Sequence, residues 1–243
     1  MNTPGPARPA AAPAPIDAAA VAAVAAQLGL PIGAAQADAL AAYAGLLARW
    51  NRTYNLTAIR DPAQVLTQHL ADCLASVPPL QRWLDARAPG AAPPRVLDVG
   101  SGGGLPAVVW AVLLPGLAID AVDAVGKKAA FVRQCAAVLR LPSLHGHHAR
   151  VEALTTYHDL VVCRAFATLA DFVALTRARL APGGVWLALK GRCPDDEIAA
   201  LPPDVEVFHV EPLQVPGLGA ERRLVWLRPR DPAASSPRAG ARK

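Results

Sequence analysis

The protein has 243 residues, 53% of them hydrophobic, and a formal net charge of +5 at pH 7. This length suits one α/β domain with an extension. The longest apolar run, Leu105 to Ile119, is interrupted by Pro106, Pro115 and Gly116. Because a membrane-spanning helix needs about 20 apolar residues, we expect no membrane span.

The N-terminus and the cysteines indicate a reducing compartment. The first residues lack the basic segment followed by an apolar segment that marks a secretory signal. The 4 cysteines are far apart and form no CxxC pair, which argues against a disulfide scaffold or a zinc ribbon. We therefore predict a cytoplasmic protein.

The positive charge is concentrated at the C-terminal end. Residues 228–243 carry 5 basic and 1 acidic side chains, whereas residues 1–227 carry 19 basic and 18 acidic ones. The body of the protein is thus nearly neutral, and overall basicity is only a weak argument for a nucleic-acid partner.

Composition and periodicity divide the chain into four segments. Residues 1–15, rich in Pro and Ala, and the basic tail 231–243 are predicted to be disordered. Residues 16–92 are predicted to form an N-terminal helical extension, and residues 93–230 an α/β core. The helices predicted in the extension cover residues 17–28, residues 34–50, a stretch that begins at Asp61-Pro62, and residues 80–87.

The core alternates short apolar runs with helices, which indicates βαβ units and a mostly parallel, Rossmann-like sheet. Ligands of such sheets bind at the carboxyl ends of the strands. The predicted strands are Arg95–Val99, Ala118–Asp123, His145–His148, Leu160–Cys163 and Val185–Leu189, with Val205–Val210 and Arg223–Leu227 as added edge strands. The predicted helices are Pro106–Leu114, Lys127–Leu139 and Leu169–Leu180.

A glycine-rich loop (DVGSGGGLP, residues 98–106) follows the first predicted strand. Its glycines, among them Gly100 and Gly102, let the backbone turn tightly and approach a ligand. A phosphate-binding P-loop needs a Lys that is missing here. The dinucleotide motif G-x-G-x-x-G, counted from Gly100, meets Leu105 at its sixth position. An S-adenosylmethionine site fits better, because Asp98 stands two residues before Gly100.

A second carboxylate, Asp123, ends the next predicted strand. It could accept both hydroxyls of a ribose, which NAD and S-adenosylmethionine both present, so it does not separate these two cofactors. The alternative is that Asp98 and Asp123 only cap loops.

The motifs along the chain resemble one known family. The similarity runs from about Asp17 to Leu227 and points to the bacterial small-subunit rRNA guanine-N7 methyltransferases, the RsmG (GidB) family. The motifs that carry it are Tyr54–Pro62 (YNLTAIRDP) followed by His69 and Asp72, then DVGSGGGLP, Asp123–Lys128 (DAVGKK), Arg150-Val151-Glu152, Cys163–Ala167 (CRAFA) and Ala188–Gly191 (ALKG).

This resemblance implies a class I S-adenosylmethionine-dependent methyltransferase fold with an N-terminal helical extension. It also implies methyl transfer to N7 of a single guanine, nucleotide 527 of 16S rRNA. The expected partner is 16S rRNA, the small ribosomal subunit or its assembly intermediate, and a monomer is expected. By position, Gly100, Gly102 and Leu105 would line the cofactor loop, Val151 and Glu152 would flank the adenine, and Arg164 would close the methionine side as the catalytic residue.

The chemistry constrains Arg164. Guanine N7 is a free lone pair without a proton, so no general base is needed and alignment is the main demand. An Arg commonly grips guanine at both O6 and N7, but here N7 must stay open. We therefore expect Arg164 to bind the cofactor carboxylate or O6 alone, with a strand-end salt bridge as the alternative.

Four local cations are candidates for RNA contact. Lys127 and Lys128 begin a predicted helix, where the dipole disfavours cations, which suggests an anionic neighbour unless both side chains simply reach solvent. Lys190 follows the last parallel strand, and Arg60 could form a basic edge with Arg49 and Arg52. For His69 and Asp72, a structural role in docking the extension competes with a contact to RNA.

Three alternative functions remain open. A 5-methylcytosine methyltransferase would need a cysteine nucleophile, for which Cys163 and Cys193 are candidates. A nicotinamide oxidoreductase could use the same glycine loop, and a non-enzymatic RNA-binding module could retain it.

A metal site is not expected. His145 and His147 alternate onto one face of a strand, but two such ligands, without a Cys or carboxylate at suitable spacing, make a poor site.

Overall fold

The computed structural model describes residues 14–192 and 194–230. The predicted tail 231–243, most of the predicted arm 1–15, and Cys193 lie outside this part of the chain. The extension contains α1 (Ala18–Gln27), α2 (Ala34–Tyr54), α3 (Pro62–Val65), a π-helix (Leu66–Ala71), α4 (Asp72–Ala75) and α5 (Val77–Asp85). Asp17 caps α1 and Asp61 caps α3 through their carboxylates, as the sequence predicts.

The core alternates strands and helices as expected. Its strands are β1 (Arg95–Val99), β2 (Ala118–Asp123), β3 (Leu144–His148), β4 (His158–Arg164), β5 (Leu180–Lys190), β6 (Val205–Pro212) and β7 (Arg223–Pro229). Its α-helices are α6 (Ala107–Leu113), α7 (Gly126–Val138), α8 (Leu169–Thr176) and α9 (Asp195–Ala199), and short 3₁₀ turns cover Val151–Ala153 and Arg177–Arg179.

The seven strands form one sheet in the order β3-β2-β1-β4-β5-β7-β6. β1 to β5 are parallel, and β7 pairs antiparallel with both β5 and β6. The order reverses between β1 and β4, which is where ligands of such sheets bind. The structure corrects two predictions. Of the two added strands, only β6 lies at an edge, because β7 pairs with a strand on each side. The helix predicted over Leu169–Leu180 ends at Thr176, and Leu180 already belongs to β5.

The extension and the core share one hydrophobic cluster. Val21, Leu40, Tyr43 and Leu47 belong to the same buried cluster as the residues of α6. A second cluster on the other face of the sheet contains Phe172 of α8. The extension therefore packs directly on the core, and the proposed boundary near residue 92 remains a prediction. None of the described helices combines the length and apolar character needed to cross a bilayer.

Candidate active site

The glycine loop lies at the carboxyl end of β1, at the point where the strand order reverses. Gly100, Gly102 and Gly104 have φ values of 68°, 55° and 79°, a region in which side chains are strained. A Cβ on Gly100 would lie 2.6 Å from the Phe166 ring. The loop thus needs glycine both for its backbone and for the space beside it.

Asp123 holds this loop from the end of β2. Its Oδ2 accepts from the Gly102 amide at 3.0 Å, and its Oδ1 accepts from the Val125 amide at 2.8 Å. Lys128 Nζ lies 3.8 Å from Oδ2. The loop-capping role considered for Asp123 is therefore present, and Lys128 has this carboxylate as an anionic neighbour.

Asp98 is buried beneath the loop. Its Oδ2 accepts from the Ala107 amide at 3.2 Å, whereas Asp98 Oδ1 and Ser101 Oγ are buried without a hydrogen-bond partner among the described residues. Burial raises the pKa of Asp98 to about 7, although its hydrogen bond from Ala107 and the charge of Arg164 oppose this shift. Buried polar atoms normally have hydrogen-bond partners, so these two atoms indicate a ligand that supplies donors.

Gly100 lines two separate cavities. The larger has a volume of 420 Å³, and the smaller has a volume of 130 Å³. Of the predicted cofactor residues, Asp123, Val151 and Glu152 line the larger cavity, and Gly102, Leu105 and Arg164 line the smaller one. The structure thus places these predicted residues near the carboxyl ends of the parallel strands, whereas the buried Asp98 is in the lining of neither cavity.

Arg164, at the end of β4, is fixed by the extension. Its Nη1 donates to Asp72 Oδ2 at 3.1 Å and to the Gln68 carbonyl oxygen at 3.3 Å. Asp72 is buried and also accepts from Arg222 Nε at 2.9 Å. One carboxylate therefore faces two guanidinium groups, which leaves this edge of the smaller cavity with excess positive charge.

The π-helix supplies the other wall of the smaller cavity. Such helices often occur at functional sites. His69, which is buried in it, shares a hydrogen bond of 2.8 Å with Thr57 Oγ1 through Nε2. Burial and the nearby Arg164 charge lower the pKa of His69 to about 4, so the imidazole is neutral at pH 7. Docking of the extension, one of the two roles considered for His69 and Asp72, is thus seen in the ion pair of Asp72 with Arg164.

Several residues of the site carried no sequence signal of this role. Tyr43, an apolar-face residue of α2, donates from its hydroxyl to the Gly103 carbonyl oxygen at 2.6 Å. Phe166 lines the larger cavity and Thr57 the smaller one. Arg222 lies more than 140 residues from its partner Asp72. Thr57 lies in the motif YNLTAIRDP and Phe166 in the motif CRAFA, and membership of these motifs is the one sequence feature that points to either residue.

The predicted RNA-contacting cations differ in their freedom. Lys127 is exposed, and Arg60 is exposed and donates to Asn55 Oδ1. Lys190 is largely enclosed: its Nζ lies 2.7 Å from Glu197 Oε2 and 3.2 Å from the Ala167 carbonyl oxygen. This geometry gives Lys190 a local partner, so an RNA contact there requires the ion pair to open.

His147 of β3 and His158 of β4 both pair with the carboxylate of Asp120 in β2. Asp120 Oδ1 accepts from His147 Nε2 at 2.7 Å, and Asp120 Oδ2 bonds to His158 Nε2 at 2.9 Å. Across residues 14–192 and 194–230, no group of three or more His, Cys, Asp or Glu side chains is placed to hold a metal ion.

Cys163 is unsuited to be a nucleophile. It is buried in the hydrophobic cluster that contains Phe172, and burial raises the pKa of its thiol far above the usual value. A reactive thiolate needs an exposed, electropositive setting. The covalent alternative therefore loses this candidate.

Comparison with known proteins adds to this geometry. A family model described as rRNA small subunit methyltransferase G (GidB) matches residues 36–226. The chain belongs to this family. A member from Leptothrix cholodnii, ribosomal RNA small subunit methyltransferase G, is 61% identical over 209 residues, covering 86% of this chain and 94% of that protein. The Acidovorax ebreus protein of the same name is 58% identical over 205 residues, covering 83% of this chain and 91% of its own length.

Solved structures agree on the fold. The N-methyltransferase NodS from Bradyrhizobium japonicum, crystallised with S-adenosyl-L-homocysteine, superposes with a TM-score of 0.54 at 14% identity. The match covers 76% of this chain and 99% of that one. The fold of this family member is thus the class I methyltransferase fold, as its motifs predict.

Proposed function

We propose that the protein transfers the methyl group of S-adenosylmethionine to N7 of a single guanine, nucleotide 527, of 16S rRNA. The observation that carries this proposal is the pair of cavities lined by Gly100 on the glycine-rich loop, in a chain of the rRNA small subunit methyltransferase G family. When bound, S-adenosylmethionine supplies a methyl group made electrophilic by its sulfonium.

The residues present fit this cofactor. In the part of the chain that the structure describes, Asp98 Oδ1 and Ser101 Oγ are buried acceptors without partners, and the space beside Gly100 is one that a Cβ would fill. Asp123, Val151 and Glu152 are proposed to hold the adenosine part in the larger cavity. Gly102, Leu105 and Arg164 are proposed to hold the amino-acid part in the smaller cavity, with Asp98 beneath the loop between them.

Arg164 is proposed to bind the cofactor carboxylate and to leave guanine N7 open. Its Nη1 is held by Asp72 and by the Gln68 carbonyl oxygen, which limits its reach toward a base. A cation against N7 would oppose the positive charge that develops on guanine, so this restraint favours the reaction.

No general base is needed at this site. Guanine N7 carries no proton, and the residues around the smaller cavity have to position the base and exclude water. His69 is neutral because of its lowered pKa, and it supports Thr57 in the wall of that cavity. We assign both residues to positioning.

For RNA contact we propose Arg60 and Lys127, with Lys128 and Lys190 contributing once they leave their partners Asp123 and Glu197. The proposed partner is 16S rRNA within the small subunit or an assembly intermediate, and the protein is proposed to act in the cytoplasm as a monomer.

The test combines binding and activity of the purified protein. Calorimetry should detect S-adenosylhomocysteine and not NADH. Small subunits from cells lacking the gene should accept tritiated methyl groups from S-adenosylmethionine. Binding of NADH alone would overturn the proposal in favour of the oxidoreductase alternative.

A further inference from the structure

A groove of 350 Å³ lies on the extension, beside the smaller cavity of the active site. Its walls are mostly apolar, and two arginines stand among its lining residues. The volume falls within the range of about 300–1,000 Å³ that is typical of small-molecule sites. The residues that matter here are Gly45, Ala48, Ile59, Arg52 and Arg60.

The groove and the active site share a wall. Leu47 lines both cavities, and the segment that follows α2 places Leu56 and Thr57 on the active-site cavity and Ile59 on the groove. Asn51, buried in α2, fixes that segment: its Nδ2 donates to the Ile59 carbonyl oxygen at 3.2 Å, and its Oδ1 accepts from the Thr57 amide at 2.9 Å. A ligand in the groove is therefore separated from the smaller cavity by Leu47 and by the segment of residues 56–59.

The charges around the groove favour an anion. Arg52 and Arg60 are exposed, and Arg60 is oriented by its hydrogen bond to Asn55 Oδ1. The neighbouring carboxylate of Asp61 accepts from the Ala63 amide at 2.7 Å and from the Gln64 amide at 3.2 Å. Because Asp61 serves the N-terminus of α3, it offsets the arginine charges less than a free carboxylate would.

We propose that this groove binds a nucleotide of the substrate RNA next to the methylated guanine. The base packs on the apolar wall formed by Ala48 and Ile59, and Arg52 and Arg60 contact the phosphates. Proteins hold unpaired nucleotides by pairing cations with the phosphates and by placing flat side chains, aromatic rings or Arg planes, against the bases. In this groove the arginines supply the cations and the guanidinium planes, and the aliphatic wall supplies the apolar contact. This inference rests on the proposed function, and it adds a second anchor that sets where the target guanine lies.

Gly45 allows the groove to be filled without damage to the core. A Cβ at this position meets no atom of the described residues within 4 Å, and Gly45 lines the groove from the middle of α2. Replacing a helical glycine also favours the helix by about 1 kcal/mol. Gly45→Leu should therefore fold and block the groove. The matched control is Ala42→Leu, an exposed position on the same helix that does not line the groove.

The experiment measures binding of each labelled protein to small subunits from cells lacking the gene, and S-adenosylhomocysteine affinity by calorimetry. Gly45→Leu should weaken subunit binding about tenfold, the scale of one lost base contact, with unchanged S-adenosylhomocysteine affinity. Ala42→Leu should match wild type in both. Arg52→Ala and Arg60→Ala should each reduce the slope of log affinity against log salt by close to one phosphate contact, about 0.7–0.9.

If Gly45→Leu binds small subunits as tightly as wild type, the inference is overturned. The groove would then hold something other than RNA, for example residues 1–13 of the chain. Failure of the wild-type protein to transfer a methyl group would overturn the proposed function. The binding and transfer measurements keep these two failures apart.

Discussion

The buried hydroxyl of Tyr43 donates a hydrogen bond of 2.6 Å to the carbonyl oxygen of Gly103. This bond joins α2 of the extension to the glycine-rich loop. The Tyr43 ring lies 6.2 Å from that of Phe131 in α7, and burial raises the pKa of Tyr43 well above its usual value, so the hydroxyl remains a donor. A side chain of the extension therefore fixes the glycine-rich loop of the α/β core.

Tyr43→Phe should weaken S-adenosylhomocysteine binding severalfold, because the Gly103 carbonyl loses its buried partner and the loop is less constrained. The free energy of unfolding should fall by about 1–3 kcal/mol. Calorimetry and urea denaturation measure the two effects. Tyr54→Phe, at an exposed tyrosine of the same helix, is the control. If Tyr43→Phe binds S-adenosylhomocysteine as tightly as wild type, the hydrogen bond from Tyr43 to Gly103 does not contribute to cofactor binding.

Gly100→Ala should lower S-adenosylhomocysteine affinity at least tenfold. The new Cβ would lie 2.6 Å from Phe166 at a φ of 68°, and a left-handed non-glycine residue costs about 1–2 kcal/mol. Gly116→Ala is the control, since a Cβ there meets no atom within 4 Å in residues 14–192 and 194–230. Equal affinities of the two variants would contradict the placement of the cofactor against Gly100.

Asp98 should make cofactor binding depend on pH. Its raised pKa of about 7 leaves the carboxyl mostly protonated at pH 6 and ionised at pH 8. If Asp98 binds the cofactor as proposed, its ionised form would be the better hydrogen-bond acceptor, and S-adenosylhomocysteine affinity should rise by about tenfold between these pH values. Asp98→Asn should bind more weakly and without this rise. A flat profile in the wild-type protein would count against the assignment.

The same group should affect the stability of the free protein. The folded pKa of Asp98 lies above its unfolded value of about 3.9, so the folded state holds more protons between pH 4 and 7. Its contribution therefore makes stability fall as pH rises through that window. Comparison of Asp98→Asn with wild type across this range isolates the contribution.

The sequence predicted the parts of the site that a local pattern encodes. Strand β1, the glycines after it and Asp98 follow from short-range rules, and the motif around Val151 and Glu152 follows from the family resemblance. The contacts that span the chain could not be predicted. Asp72 with Arg222, and Tyr43 with Gly103, depend on how the extension packs on the sheet, which no local spacing specifies. The interior position of β7 was missed for the same reason.

Cys163→Ala should retain methyl transfer. The thiol is buried and its raised pKa keeps it protonated, so it contributes packing and no covalent step. The tritium-transfer rate should stay within about twofold of wild type, while stability falls by about 1 kcal/mol for the lost buried atom. Loss of transfer in a folded Cys163→Ala protein would return the 5-methylcytosine chemistry to consideration.

The cluster around Asp120 should contribute stability and not activity. Burial alone would raise the pKa of Asp120, but hydrogen bonds from His158, His147 and Arg95 lower it well below the usual range. Arg95 and His158 are the first residues of β1 and β4, so they lie at the amino ends of the strands, whereas the glycine-rich loop lies at the carboxyl ends. Asp120→Asn should lower the free energy of unfolding at pH 7 by about 3 kcal/mol.

The pH dependence follows from the lowered pKa of Asp120. Its stabilising contribution is complete above the unfolded pKa of about 3.9 and is lost as pH falls below it, so the difference between Asp120→Asn and wild type should shrink in acid. S-adenosylhomocysteine affinity should not change. Asp85→Asn, at an exposed carboxylate, controls for loss of charge, and an equal stability loss there would refute the role of the cluster.

The central claim, methylation of one guanine of 16S rRNA, is tested most directly by mass mapping of methylated guanines in cells. The rRNA would be compared between cells with the gene, cells without it, and gene-deleted cells supplied with wild type or Asp98→Ala. We predict that one N7-methylguanosine disappears without the gene, returns with wild type and stays absent with Asp98→Ala. An unchanged set of methylated guanines in the deletion cells would contradict the account.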